Sequence, residues 1–503
     1  MRLMGLRESV DSLFRGPEGM DLTSGGIGWP LFYLSLPIIV QNLFQVLYNL
    51  ADTFWLGRHS TEALSAITFA FPIVFLMISL ALGVSVAGSV LVAQHVGAGN
   101  EGRAAYAASQ TMAYAAVISI VLGVLGYAFV DDVTALMGVN ASVEPLVVEY
   151  MRVYAIGLFA VFGFAVFMAL MRGYGDTVTP MYVMAGSVVL NIVFDPILIF
   201  GFEANPLFGA FGLDGLEAAA LAATGFTGWG IGGAAIATVG SRALALVVGL
   251  VIMFRGNHGV QIRLSEMLPD RSFGRTIVEI GLPASVEGAA RSLSITLLLV
   301  VVATFPNAVS GAYGIGTRVF SVIFLPALAV SQGIETMTGQ NIGADAVERA
   351  AETNHFGARA MLVLLTVGGG LIMLAAGPIA SIFSPDPAVV DHSTTFLRVT
   401  GLTFGFIGVM RAYTGGFRGA GHTMVAAVIS LVTLGFVRLP VAWIASGPLG
   451  VMGLWIAFPI SNIVGGVVAY CWFKRGTWRD GTLTQSGPTP DVPAPDAQPT
   501  DDD

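Results

Sequence analysis

The sequence predicts an all-α polytopic membrane protein, with twelve transmembrane helices in two pseudo-symmetric six-helix bundles. Three observations carry that prediction. Of 503 residues 55% are hydrophobic and only 11% charged, with a mean hydropathy of +0.78, whereas a soluble chain carries about a quarter charged residues. Apolar runs of about 20 residues, the length that crosses a bilayer as a helix, recur between short polar breaks. The second half also repeats the first. Leu36-Pro37 returns as Leu282-Pro283, 246 positions later. At the same offset Gln94, Gly97, Ala98, Arg103 and Ala104 return as Gln340, Gly343, Ala344, Arg349 and Ala350. Arg172-Gly173, Gly175 and Thr177 return as Arg418-Gly419, Gly421 and Thr423. Six helices per half give both copies one orientation, related by an axis along the membrane normal.

In chain order, residues 1–28 are mixed in charge and lack the apolar core of a signal peptide, so they read as an N-terminal segment with the first helix retained. The N-lobe, 29–256, carries segments at 29–56, 64–93, 106–130, 147–170, 178–201 and 230–254. The most polar internal stretch, 257–275, links it to the C-lobe, 276–475, with segments at 276–304, 312–338, 356–383, 393–416, 422–445 and 449–473. Residues 476–503 form a proline-rich acidic tail expected to be disordered. An even segment count puts both termini on one side. Arginines on that side, Arg172 and Arg418 counted among them, outnumber Arg58, Arg152, Arg318 and Arg398 on the other. The positive-inside rule therefore places both termini in the cytoplasm, at the plasma membrane.

Several function classes drop out. The lone Cys471 allows no disulfide within the chain. The histidines show no metal-ligand spacing, and no P-loop, GxSxG or HExxH is present. GAGNEG at 97–102 follows a membrane helix, not a strand, and reads as a turn. There is no basic and aromatic surface for nucleic acid.

The candidate site lies in the N-lobe. Gln41, Gln45, Tyr48 and Asp52 recur at spacings of four, three and four, within a sector of roughly 60° at 100° per residue. A carboxylate in hydrocarbon costs about 2.5–3.5 kcal/mol, so this face reads as lining a wet cavity. The competing reading puts Asp52 at the headgroups and makes Tyr48 an interfacial aromatic. In the fifth segment Asn191 and Asp195 share a face, and Pro196 frees a carbonyl one turn back. Thr238 lies two turns into the sixth segment, at matching depth. The repeat acts as an internal control: Leu298 stands in the place of Asp52, and Leu439, aligned on the prolines, in that of Asp195. The bundle itself does not need these acids. Two neighbouring carboxylates in a low dielectric cannot both ionise cheaply, so one holds a proton or the pair shares a cation. Glu287 and Arg291, one turn apart in the seventh segment, are expected to pair; Glu335 is expected to serve local structure.

Together these residues resemble the multidrug and toxic compound extrusion (MATE) family, over about Trp29 to Lys474. The motifs are LPxxxxN at 36–42, ADTFWLGR and ALSA within 51–66, QHVGAGN at 94–100, RGYGDTxTP at 172–180, NIVFDPILIFG at 191–201 and GGAAIATVGSR at 232–242. The resemblance implies an antiporter, not an enzyme, working by alternating access as a monomer among membrane lipids. It would export organic cations and other amphipathic drugs against proton or sodium entry, with no cofactor. In the archaeal and DNA-damage-inducible branch the ion-coupling positions fall on Asp52, Asp195, Asn191, Thr238 and Tyr48. Sodium, if it is the ion, would sit among Asp52, Asn191, Asp195 and Thr238. Gln41, Asn42 and Gln45 would face substrate, and Pro37 takes the position linked to bending. Other branches use a glutamate in helix seven and an aspartate in helix ten; here Glu287 lies about one turn away from the former, and the tenth segment offers Arg411 but no acid. The long loop 203–229 is expected to lie as an amphipathic segment over the external mouth. A lipid-linked oligosaccharide flippase is the runner-up, and an intramembrane enzyme the third reading.

Overall fold

In hydrocarbon every backbone N–H and C=O must find its partner within the protein, and the apolar stretches accordingly fold as helices. A computed structural model describes residues 21–257 and 259–484, without a strand among them; the expected tail beyond 484 lies outside the described residues. The N-terminal half runs α1 (Gly28–His59), α2 (Thr61–Gly97), α3 (Glu101–Leu136), α4 (Glu144–Ile156), α5 (Leu158–Tyr174) and α6 (Val178–Phe200). Two short helices, α7 (Pro206–Ala210) and α8 (Asp214–Thr224), precede α9 (Gly230–Arg255). The second half runs α10 (Arg271–Val302), α11 (Asn307–Gly343), α12 (Val347–Leu374), α13 (Ala376–Phe383), α14 (Pro387–Gly401) and α15 (Phe404–Gly419). It ends with α16 (Thr423–Leu431), α17 (Leu439–Leu449) and α18 (Val451–Lys474). A widened π-helical stretch, Val432–Arg438, joins α16 to α17 ahead of Pro440, which has no N–H to donate.

Ten spans, with α16 and α17 crossing as one, are long and apolar enough to cross a bilayer, and α4 with α5, bent by 55° at Gly157, makes an eleventh. The twelfth, α14 with α15, carries Arg398 and Arg411 and so does not stand out by composition. Its break at Leu402–Thr403 is the break at Gly157 seen again, since Gly157 and Thr403 stand 246 positions apart. At Gly157 a β-carbon would collide with the Val239 side chain, so α9 closes on bare backbone at the bend.

The two lobes meet through the repeat itself. A β-carbon on Gly97 would strike the Gln340 carbonyl, and one on Gly343 would strike the Gln94 carbonyl. The Gln94 amide donates to Gly419 O (3.0 Å), and the Gln340 amide donates to Gly173 O (3.1 Å). Each pair of contacts is the other shifted by 246 positions, so a pseudo-two-fold axis passes between α2 and α11. Both described chain ends lie at this proximal end. Arg349 donates to Gly25 O (2.6 Å) and Ser24 O (2.7 Å), and Leu483 N donates to the Gln94 amide oxygen (2.7 Å).

Core packing gives the lobes their arrangement. Leu22, Ile27, Leu31 and Leu34 pack into a C-lobe cluster with Ile334 and Phe417, and Phe273, Ile277 and Ile280 pack into an N-lobe cluster with Val84 and Leu91. These inter-lobe clusters lie in the proximal half. The distal clusters, around Leu56 and Tyr150 in one lobe and around Leu298 and Trp455 in the other, each draw on one lobe only. The bundle is therefore sealed proximally, and its halves are separately packed distally.

Candidate ion and substrate site

α1 runs unbroken through Pro37, which has no N–H to give to Tyr33 O. Its inward face buries Pro37, Gln41, Tyr48, Asp52 and Leu56, the spacing of one helical stripe. Asp52 is 8% exposed and Tyr48 2%. Asp52 thus lies inside the N-lobe and not among headgroups. α6 brings Asn191 and Asp195, both fully buried, against it, and α9 adds Thr238.

The contacts are specific. Thr238 Oγ1 donates to Asp52 Oδ2 (3.2 Å), Asn191 Nδ2 donates to Asp195 Oδ1 (3.1 Å), and the Asp52 carboxyl lies against the Asp195 carboxyl and the Asn191 amide. Tyr48 OH donates to Thr238 O (3.0 Å) and sits 2.7 Å from Ser241 Oγ, tying α1 to α9. Three buried oxygens in this cluster have no partner: Asp52 Oδ1, Asn191 Oδ1 and Asp195 Oδ2. Buried acceptors without donors are costly. A set that offers acceptors only is completed by a proton or a small hard cation.

The residues expected to face substrate divide. Gln41 donates to Thr177 O (2.9 Å), holding the start of α6. Gln45 accepts from Arg242 Nη2 (2.7 Å), and Asn42 Nδ2 is buried without a partner. Arg242 is the residue that sequence reasoning passed over. It is 7% exposed, lies over the Tyr48 ring (4.5 Å) and the Phe164 ring (5.2 Å), and places a guanidinium beside the acid pair. Thr238, Ser241 and Arg242 stand three and four apart, and that spacing could have marked them as one face. Tyr150 and Tyr154 of α4, also unforeseen, stack at 6.2 Å against the same cluster.

The C-lobe departs from expectation. Glu287 does not pair with Arg291; it takes Arg418 (3.0 Å), Ser430 Oγ (2.7 Å) and, more distantly, Arg411 (3.8 Å). Helices α15 and α16 supply these partners, and they outcompete a same-helix neighbour one turn away. Arg418 also bridges to Glu335 (3.2 Å). Of Arg172 and Arg418, both counted as loop charges in fixing topology, Arg418 is buried and Arg172 half-buried. The loop after α6 is anchored by Asn205, whose amide donates to Pro196 O (2.8 Å) and Gly201 O (2.6 Å). α7 buries Phe208, but α8 buries none of its residues, so the segment braces the end of α6.

Comparison with known proteins agrees with this architecture. The MatE family profile matches residues 37–197 and 283–444, one match per lobe. An FAD transporter of Shewanella oneidensis is 28% identical over 457 residues, covering 90% of this chain and 96% of that protein. A probable multidrug resistance protein NorM of Thermotoga maritima is 27% identical over 455 residues, covering 89% and 92%. Among solved structures, an outward-facing multidrug resistance MATE transporter superposes with a TM-score of 0.80 at 23% identity, covering 92% of this chain and 98% of that one. A MOP superfamily transporter from Pyrococcus furiosus gives the same values. With the family profile matched in both halves of the duplicated bundle, the chain belongs to the MATE family of multidrug efflux transporters.

Proposed function

We propose that this chain is a cation-coupled antiporter of the plasma membrane, with both termini cytoplasmic, that works as a single chain and exports organic cations and other amphipathic compounds. The observation that carries this reading is the set of partnerless oxygens of Asp52, Asn191 and Asp195. With one proton shared by the acids, the cluster of Asp52, Asp195 and Arg242 is neutral; a further proton or a sodium ion makes it cationic. That charge change sits on α1, α6 and α9 together, so it biases their packing as well as the attraction of the cavity for a positively charged substrate. Ion entry from the external side would let α1 bend at Pro37, narrow the N-lobe cavity and expel the substrate. Ion and substrate then disfavour each other, which is the linkage that antiport requires. The acid in the first helix supports a reading of the chain as closest to the archaeal and DNA-damage-inducible branch. Dye efflux from proteoliposomes, with proton and sodium gradients imposed separately, tests the proposal. One gradient should drive uphill efflux, and movement of dye with neither would refute it.

A further inference from the structure

The C-lobe contains a cavity of about 190 Å³ whose charge is opposite to that of the N-lobe site. Three arginines line it: Arg291 from α10, Arg411 from α15 and Arg438 from the π-helical stretch. Each guanidinium lies against an aromatic face, Arg291 over Phe324 at 3.9 Å, Arg411 over Phe324 at 4.7 Å and Arg438 over Phe458 at 4.5 Å. Arg438 is aimed by Ser461 Oγ (2.8 Å) and the Asn462 amide oxygen (2.9 Å). Arg411 is 4% exposed, its Nε is without a partner, and its nearest acid, Glu287, stands 3.8 Å away and already takes Arg418 and Ser430. Among the described residues Arg291 donates to no protein acceptor, and Glu287 is the acid nearest it.

Charge does not balance here. Arg291, Arg411, Arg418 and Arg438 face Glu287 and Glu335, four cations against two anions, and Arg418 bridges both acids. Arginines at membrane depth are costly and pair with acids when they serve structure alone. Two of these have no acid to pair with. The rest of the wall includes Ile295, Tyr313, Phe320, Ile407, Met410 and Leu434, and the Thr317 and Thr433 hydroxyls are spent on Gly314 O (3.0 Å) and Ile429 O (2.7 Å). Guanidinium groups held over aromatic rings suit a tetrahedral oxyanion, and the apolar wall suits an aromatic or alkyl body.

We infer that the C-lobe cavity is a second ligand site, which takes an amphipathic organic phosphate through Arg291, Arg411 and Arg438. The site is separate from the acid pair, and its occupancy is read without transport. Failure here would leave ion coupling through Asp52 untouched, and failure of that coupling would leave this site standing.

The test is calorimetric titration of the purified full-length protein in phosphatidylcholine nanodiscs. The probe is 1-naphthyl phosphate, and 1-naphthol is the same body without the charge. The phosphate should bind at least tenfold more tightly. Arg291→Gln, which breaks no protein hydrogen bond, should weaken phosphate binding at least tenfold and leave naphthol unchanged. Arg438→Lys, which keeps the charge but loses the fork, should give a smaller loss. Nanodiscs containing phosphatidylglycerol separate two sources of the phosphate: competition with the probe identifies a lipid headgroup, and an unchanged affinity identifies a soluble organic phosphate. Equal affinity for naphthol and naphthyl phosphate, or full affinity in Arg291→Gln, would overturn the inference.

Discussion

Gly343→Ala probes the proximal seal directly. The added methyl would fall more than an ångström inside the 3.4 Å of ordinary contact, against the backbone carbonyl of Gln94. A carbonyl in a helix cannot rotate away, so α2 and α11 must part. Overpacking of this kind costs about 1–3 kcal/mol. The methyl burdens only the proximally closed state, so the closed–open equilibrium moves by roughly 5–150-fold toward opening. Ser35, 4% exposed and packed against Gly333 across the lobe boundary, reports that opening. In a Cys471→Ser background, Ser35→Cys should react correspondingly faster with an impermeant maleimide added from the proximal side. Gly97→Ala should match Gly343→Ala, because its methyl meets Gln340 in the mirrored contact. Gly186, with no atom within 4 Å of an added methyl, supplies the neutral control. If Gly97→Ala and Gly343→Ala label no faster than Gly186→Ala, the crossing is not the seal.

Three further perturbations have defined outcomes. Asp52→Asn and Asp195→Asn each remove one of the two carboxyls between which the proton is shared; dye efflux should be lost with expression retained, and wild-type efflux in either variant would dismiss the coupling role. Arg418→Ala strands Glu287 and Glu335 and should cost about 3–5 kcal/mol, seen as a larger drop in melting temperature than Glu335→Gln gives. Asp270 caps α10 outside the spans, and its carboxyl is held below the usual range chiefly by the Ser272 backbone N–H, with Tyr106 OH on its other oxygen. A depressed carboxyl stabilises the fold above its unfolded value near pH 4 and loses that contribution as pH falls through its folded value. The deficit of Asp270→Ala, about 0.5–2 kcal/mol at pH 7, should therefore shrink as pH approaches 3 in thermal melts.

The repeat was legible because it is covariant along the chain: an offset needs no knowledge of contacts. Asp52, Asn191, Asp195 and Thr238 were legible because acids and amides stand out against apolar helices and helical spacing fixes their face. Ion-pair partners were not. Glu287 has a basic neighbour one turn away at Arg291, yet its partner lies 131 positions further on, on a helix whose neighbours only packing decides. Arg172 and Arg418 sit next to turn glycines and look like loop charges, but packing half-buries the first and buries the second. Arg242 was hidden for a different reason. Its partners are a glutamine, a thioether and two rings, none of which the sequence advertises as a counter-charge.

The duplicated positions also test whether the acid of α1 is there for work or for structure. Leu298, the counterpart of Asp52, is 3% exposed and packs in an apolar cluster with Val302, Val309, Ala442 and Leu454. Tyr313 and Trp455 are its only side chains with a donor, and neither is the repeat counterpart of Thr238, whose hydroxyl supports Asp52. Leu298→Asp would set a carboxyl at the same helical depth without that support, at a cost of at least about 2.5–3.5 kcal/mol. The variant should melt well below the parent and should not restore efflux to Asp52→Asn. Asp52→Leu, by contrast, turns the N-lobe position into its C-lobe equivalent and should fold near normally while losing efflux. If Leu298→Asp proves as stable as the parent, the bundle accepts an acid at this depth indifferently, and the presence of Asp52 says nothing about ion binding.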